Sequence, residues 1–208
     1  MRVHFREGAF LFLSTHVDDL FPLFNQEGKR LRDKVLGALK AKMQIEDKGL
    51  LSFALDTKIE RDTRGGVLKI SQQTYTQNLL KEFLPSNAPP RDTPAIVGEI
   101  SEVDLPQSEN EKEEVLKLPV RNVIGRLWWL ALISRPDIQC ALHRCAIWQN
   151  RPSQKLWKFL MHILQYLKHT HNFGLVFVRP TSEENLLEAY CDAAFATECG
   201  SGYFFFFL

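Results

Sequence analysis

The sequence predicts an α+β fold. Three observations carry that reading. Paired apolar runs joined by tight connections fill the part before residue 71. Three helical patterns follow between residues 120 and 169, and short apolar runs come after Gly174. The 208 residues, 45% hydrophobic and 25% charged, have a soluble globular composition and enough length to bury a core, as one domain or two small ones.

Taken in order, Phe10–Leu13 and Leu20–Phe24 read as strands of a hairpin, and Pro22 places the second arm at an edge or bulge. A helix is predicted over Lys29–Met43, with Leu31, Val35, Leu36, Leu39 and Met43 on one face. Leu51–Ile59 and Val67–Ile70 read as strands joined through "RDTRGG", whose glycines suit a turn. "SQQTYTQNLLKEF" reads as a helix with Ser71 as N-cap, ending before Pro85. Residues 85–118 hold five prolines, many acids and few large apolar groups, and read as a wandering linker. Helices are then predicted over Val120–Ile133, Pro136–Gln149 and Ser153–His169, with Pro136 at a first helical position. Leu175–Val178, Leu186–Cys191 and Tyr203–Phe207 read as short strands. No internal repeat is visible.

The net charge of +1 hides strong segregation. Between Gly98 and Val115 stand seven acids and one base, Lys112, whereas the 45 residues from Ile138 to Ser182 contain no acid. That second stretch carries Arg144, Arg151, Lys155, Lys158, Lys168 and Arg179 with four histidines, a candidate cationic face for an anionic partner. On helices, such residues would neutralise phosphates and make binding salt-dependent; the plainer alternative is a solvated basic face. Trp128, Trp129, Trp148 and Trp157 could stack on bases, but at helical positions at least three of them are expected in the core. Cysteines 140, 145, 191 and 199 form no Cys-x-x-Cys pair, which points to a reducing compartment. Cys140 and His143 are one turn apart with no second pair, so no zinc site is expected, and His169–His171 reads as a polar helix end. The apolar runs at the start and in "YFFFFL" are too short for a signal or spanning segment, so no membrane partner is expected.

One pattern asks for chemistry. In "FLFLSTHVDDLFPLF" two adjacent carboxylates, Asp18 and Asp19, interrupt apolar runs, and something must compensate them: solvent, a base or a metal ion. A solvated turn is the plainer reading of the dipeptide. The alternative is Mg²⁺, which takes hard oxygen ligands and serves phosphoryl and nucleotidyl transfer.

The context of that pair resembles one family. "LFLSTHVDDLFPLF" is similar to the Tyr-x-Asp-Asp hairpin of reverse transcriptases. "LLSFALDTKIERDTRGGVLKISQQTYTQNLLKEF" resembles the segment after that hairpin in copia-type retrotransposon Pol polyproteins, with its Phe-Leu-Gly core and Ser-Gln…Tyr…Leu-Leu helix. "DTPA", "VRNVIGRLWWLALISRPDIQCAL" and "ILQYLKHTHNFGLVF" resemble the family's later blocks, and "LEAYCDAAFA" with "GSGY" the opening of its ribonuclease H domain. Six blocks keep their order across residues 11 to 203.

The resemblance implies an RNA-directed DNA polymerase architecture in this transposable-element family. Partial palm hairpins with a helix would occupy residues 1–70, a helical thumb 71–172 with the acidic linker at 85–118, and the first strands of a ribonuclease H-like domain 173–208. It implies Asp18 and Asp19 as catalytic Mg²⁺ ligands, and Asp192 as the first ribonuclease H carboxylate. His16 and Val17 would lie beside an RNA–DNA or DNA primer–template, and Ser52–Ile59 near the primer end. The thumb cations Arg144, Arg151, Lys155, Lys158 and Lys168 would grip its backbone. The implied setting is the cytoplasm, in virus-like particles, with the nucleus as the alternative; the upstream part of the polyprotein is a further implied partner.

The departures are specific. The family places a third aspartate on a strand well before the hairpin, and the fifteen residues before His16 contain none. His16 stands for Tyr, and Ala54 and Asp56 stand for Phe and Gly. The later ribonuclease H carboxylates are not found. The expectation is a fragment inactive alone; a non-catalytic nucleic-acid-binding module and a degenerate relic without selected function are the alternatives.

Overall fold

The computed structural model describes residues 2–6, 8–179, 189–190 and 206–207, and places the chain in two compact units, Met1–Leu50 and Leu51–Leu208. The first holds an antiparallel sheet of order β1-β2-β3, formed by β1 (Arg2–Arg6), β2 (Ala9–His16) and β3 (Asp19–Phe24). Pro22 sits on β3, an edge strand, where its missing N–H costs no ladder bond. Helix α1 (Lys29–Lys40) follows, close to the expected span. Asn25 joins sheet and helix: its Oδ1 accepts from the amides of Phe10 (3.0 Å) and Gly28 (2.9 Å), and its Nδ2 donates to the Gly8 carbonyl at 2.8 Å. Gly28 is buried against the Phe10 carbonyl, and a side chain there would collide with it.

Among the described residues this unit buries little. Leu11 is its one fully buried hydrophobic side chain among the described residues, and α1 buries none; Leu31, Val35, Leu36 and Leu39 are half-covered. Arg32 pairs with Asp33 (2.8 Å) and Asp47 (2.6 Å) and lies over the Phe24 ring.

The second unit carries a four-stranded antiparallel sheet of order β4-β5-β6-β7: β4 (Phe53–Ala54), β5 (Thr57–Asp62), β6 (Val67–Ser71) and β7 (Gly174–Val178). The single strand expected over Leu51–Ile59 is broken. Leu55 and Asp56 both take positive φ, 51° and 58°, making a two-residue hairpin that pairs Ala54 with Thr57. Such turns need left-handed backbone at both central positions, which Asp tolerates better than most residues. Gly66, at φ 67°, turns β5 into β6. Gly174 opens β7 hard against the Ile70 carbonyl, leaving no room for a side chain.

Helix α2 (Gln73–Phe83) starts one residue later than expected: Ser71 still pairs with Gly174, so Gln72 takes the N-cap position, with no side-chain cap bond. Residues 85–118 are more structured than a wandering linker. Ser101 and Asp104 form a capping box around a 3-10 turn, and α3 (Glu109–Leu116) is capped by Ser108, which accepts from the Glu111 amide. Val115 and Ile100 are buried.

The core is helical. In α4 (Val120–Ile133), α5 (Gln139–Ala146, after a 3-10 turn at Pro136–Ile138) and α6 (Gln154–His169), the apolar stripes converge. Val123, Leu127, Leu130, Ile138, Leu142, Leu156, Leu160, Ile163, Leu164 and Leu167 are fully excluded from water, with Leu79 of α2 beside them. Ser153 caps α6 through the Leu156 amide at 3.1 Å. The pairs Ala189–Tyr190 (β8) and Phe206–Phe207 (β9) form a short antiparallel ladder; the rest of the strands expected after residue 179 lie outside the described residues.

Candidate functional site

The sequence places its chemistry at the β2–β3 hairpin, and the structure puts the two carboxylates at its tip. The ladder runs from Leu11↔Phe24 to His16↔Asp19, leaving Val17 and Asp18 as the two turn residues. Val17 takes φ 50°, a left-handed backbone that a β-branched residue rarely adopts, and its side chain is 88% exposed. His16, Asp18 and Asp19 are exposed as well. Among the described residues neither carboxylate meets a hydrogen-bond or ion-pair partner in the protein, so solvent answers the burial problem the sequence posed.

Two adjacent exposed carboxylates are hard oxygen donors of the kind Mg²⁺ takes, yet they are a partial set. Among the described residues no group of three or more His, Cys, Asp or Glu side chains could hold a metal ion. Two-ion nucleotidyl transfer needs more ligands than the tip provides. Asp192, with Cys191 and Cys199, lies outside the described residues.

Around the Leu55–Asp56 turn, a polar groove of about 360 Å³ is lined by Phe53, Asp56, Lys58, Ser71, Gln73, Thr74 and Gln77. Lys58 is paired with Glu60 at 2.8 Å.

The basic stretch looks different in three dimensions. Its cations lack acids nearby in sequence, but residues 86–104 cross α5 and α6 and supply partners. Arg144 donates to the Gly98 carbonyl, and Arg151 forks onto Glu102, its Nη2 reaching Oε2 at 2.9 Å. Lys155 pairs with Asp104 at 2.9 Å, and Lys168 donates to the carbonyls of Ser86 (3.0 Å) and Ala88 (2.8 Å). The hydrogen bond from Arg151 holds the Glu102 carboxyl below its ordinary range, and Lys155 does the same to Asp104. His162 faces the Thr93 carbonyl at 2.9 Å. Of the five cations Arg144, Arg151, Lys155, Lys158 and Lys168, only Lys158 is exposed without such a partner among the described residues.

Trp128, Trp148 and Trp157 pack against the core, as expected of at least three tryptophans. Cys145 is buried, which pushes its thiol up to about 12, while Cys140 is exposed.

Two features escape a reading of the sequence. Arg135, only 2% exposed, forks onto Asp137 (Nε–Oδ1 2.9 Å, Nη2–Oδ2 2.7 Å) and also reaches Thr170 through its carbonyl and hydroxyl. Tyr166 donates to the same carboxylate at 2.8 Å. The cluster ties the end of α6 to the α4–α5 junction. The second is a cationic helix, α1, whose six bases over residues 29–42 face one acid, Asp33. A count of charge over that window would have found it.

Comparison with known proteins gives relatives but no template. No family model matches the chain, and no solved structure matches it. It is 29% identical over 210 residues to the retrovirus-related Pol polyprotein from transposon TNT 1-94 of Nicotiana tabacum, an alignment covering 98% of this chain and 15% of that protein. It is 26% identical over 193 residues to the retrovirus-related Pol polyprotein from transposon RE2 of Arabidopsis thaliana, covering 92% of this chain and 12% of that one. A third relative, an uncharacterized mitochondrial protein of Arabidopsis thaliana, is 26% identical over 190 residues, covering 89% of this chain and 72% of it. The chain thus spans 15% and 12% of the two polyproteins it matches along most of its own length.

Proposed function

We propose that this homologue of retrotransposon Pol polyproteins is a fragment of their RNA-directed DNA polymerase, comprising the end of the palm, the thumb and the start of ribonuclease H, and that it is inactive by itself. The observation that carries the reading is the tip of the β2–β3 hairpin. Asp18 and Asp19 stand at a tight strand-to-strand turn, exposed and without protein partners. The strained backbone of Val17 beside them is the kind of local cost that persists at functional sites. In this reading Asp18 and Asp19 are two ligands of a magnesium site whose remaining donors are not among the residues described. His16 and Val17 would border the primer–template, and the groove beside Asp56 and Gln73 would lie near the primer end.

Asp56 supports the same assignment. It stands where the related pattern has glycine, and it adopts the positive φ that glycine would favour. The substitution thus keeps the backbone while adding a charge.

A primer-extension assay with Mg²⁺ or Mn²⁺ tests the proposal. The chain alone should extend no primer, and Asp18→Ala should change nothing. Extension that Asp18→Ala abolishes would show the carboxylate set to be sufficient and overturn the claim of inactivity. A second reading, a nucleic-acid-binding module without chemistry, is favoured by the exposed cations of α1.

A further inference from the structure

Among the described residues two basic stretches contrast: the cations on and between α5 and α6 are mostly occupied, and those of α1 are mostly open. On α5, α6 and the loop between them, Arg144, Arg151, Lys155 and Lys168 already hold carbonyls or carboxylates of residues 86–104. A phosphate arriving there must displace bonds that exist. On α1 the acids are consumed in the opposite sense. Asp33 and Asp47 are both held by Arg32, at 2.8 and 2.6 Å, while Lys29, Arg30, Lys34, Lys40 and Lys42 are all exposed. None of those five takes a hydrogen bond or ion pair among the described residues, although Lys40 lies near enough to Asp47 to favour its charged form.

We propose that the solvent face of α1 binds the phosphate backbone of a nucleic acid, and that this helix, rather than α5 and α6, is the chain's open polyanion surface. The inference rests on the polymerase-fragment reading for its choice of partner, and on charge placement for its choice of surface.

Three physical points carry it. First, the charges run the length of the helix. The 12 residues of α1 span about 18 Å, over which a duplex presents about ten phosphate charges. Second, the apolar and charged faces are separate. Leu31, Val35, Leu36 and Leu39 are half-covered, and the bases occupy the exposed positions, with Arg30 and Lys34 one turn apart. Third, the placement works against the helix itself. Its first turn carries Lys29, Arg30 and Arg32 and no acid, where a helix stabilised only by its own dipole favours acids. Arg32 gains Asp33 and Asp47 inside the chain, but the Lys29 and Arg30 side chains gain no such partner among the described residues, and a local rule broken without an internal gain points to an external one.

The test uses the full chain and a short fluorescein-labelled RNA–DNA duplex, followed by anisotropy between about 50 and 200 mM salt. Arg30→Gln with Lys34→Gln should weaken binding by about tenfold and lower the log–log salt slope by about two. Both positions are exposed, so circular dichroism should be unchanged. The swapped pair Arg30→Lys with Lys34→Arg should restore binding. Arg151→Gln with Lys155→Gln should leave affinity within about twofold.

If only the Arg151 and Lys155 variant loses binding, the surface is misassigned while the nucleic-acid reading stands. If the unmodified chain shows no salt-dependent binding, the nucleic-acid reading falls and the inference with it. If polyglutamate at equal charge displaces the duplex and binds tighter, the face belongs to an acidic protein and the inference is wrong.

Discussion

Helices α1 and α6 look alike as sequences and behave as opposites in the fold. Both are amphipathic and basic. α6 buries seven side chains in the main core, and its cations Lys155 and Lys168 are occupied, the first by the Asp104 carboxylate and the second by the Ser86 and Ala88 carbonyls. α1 buries none, and four of its bases, with Lys42 just after it, are exposed to solvent. The difference lies outside both helices. Whether a basic run becomes a surface depends on whether an acceptor from elsewhere in the chain, carboxylate or carbonyl, reaches it, and a count along the sequence cannot see that. Depth of burial follows the same logic, since α6 has helices around it and α1 has one three-stranded sheet.

The sharpest break of this contrast is in the core. Leu160→Ala removes a side chain with no exposed surface, from a site framed by helices that cannot collapse freely. The expected loss is about 3–4 kcal/mol, measured by urea unfolding. Next comes the cluster that closes the helical core. Arg135→Ala leaves Asp137 without its cation, with Tyr166 as its remaining side-chain donor, and takes one of two donors from the Thr170 carbonyl; it should cost about 2–3 kcal/mol, less than a fully buried pair because the Asp137 side chain is 35% exposed. Arg135→Lys should not rescue it, since one ammonium cannot reproduce the fork between the Tyr166 and Phe173 rings.

The same cluster sets an acid limit. Burial pushes the Asp137 carboxyl up, but hydrogen bonds from Arg135 and Tyr166 outweigh that and hold it below its ordinary 3.8. A carboxylate lowered in the folded state stabilises fully above its ordinary value, and that contribution is lost as pH falls through the lower folded one. Unfolding midpoints followed downward from pH 5 should therefore decline, and Arg135→Ala should flatten that part of the decline. A variant that declines as steeply as the parent would remove Asp137 from the account.

On α1 the matching core test should be mild. Leu36 is only half-covered, so Leu36→Ala should cost about 1 kcal/mol. Hydrogen exchange should also open the amides of α1 before those of α6, because little apolar surface holds it down. Equal protection of the two helices would mean that the 1–50 unit is better packed than its burial indicates.

Sequence reasoning found most elements and the hairpin, because apolar runs bounded by turn residues and helical periodicity encode them locally. It placed Pro22 on an edge and α4 at its observed bounds. It missed the Leu55–Asp56 turn because neither residue is a glycine and the apolar run continues through it. It missed α3 despite a readable signal, Ser108 followed three residues later by Glu111, since prolines and acids dominated the segment. Partners 46 to 82 residues apart, such as Arg144 with Gly98 and Lys168 with Ser86, leave no mark on local pattern. The hairpin tip was legible because two adjacent aspartates between apolar runs violate an expectation; the cluster at Arg135 was not, because Arg-Pro-Asp breaks none.

The smallest effect expected concerns the acidic segment over α5 and α6. Glu102 is lowered by the hydrogen bond from Arg151 and Asp104 by that from Lys155, so both tethers hold fully above the ordinary values of 4.5 and 3.8 and loosen as pH falls through the lower folded ones. These groups stand in solvent, where ion pairs contribute little and salt screens them. Glu102→Gln with Asp104→Asn should therefore leave global stability almost unchanged while freeing the segment locally. Amide signals of Ser101 and Asp104, whose capping box shares the Asp104 carboxylate, should shift toward disordered values in that variant at neutral pH and in the parent only below about pH 4. Signals that stay put in both would show that buried Ile100, rather than charge, holds the segment in place. The contrast between the two basic helices would then rest on packing alone.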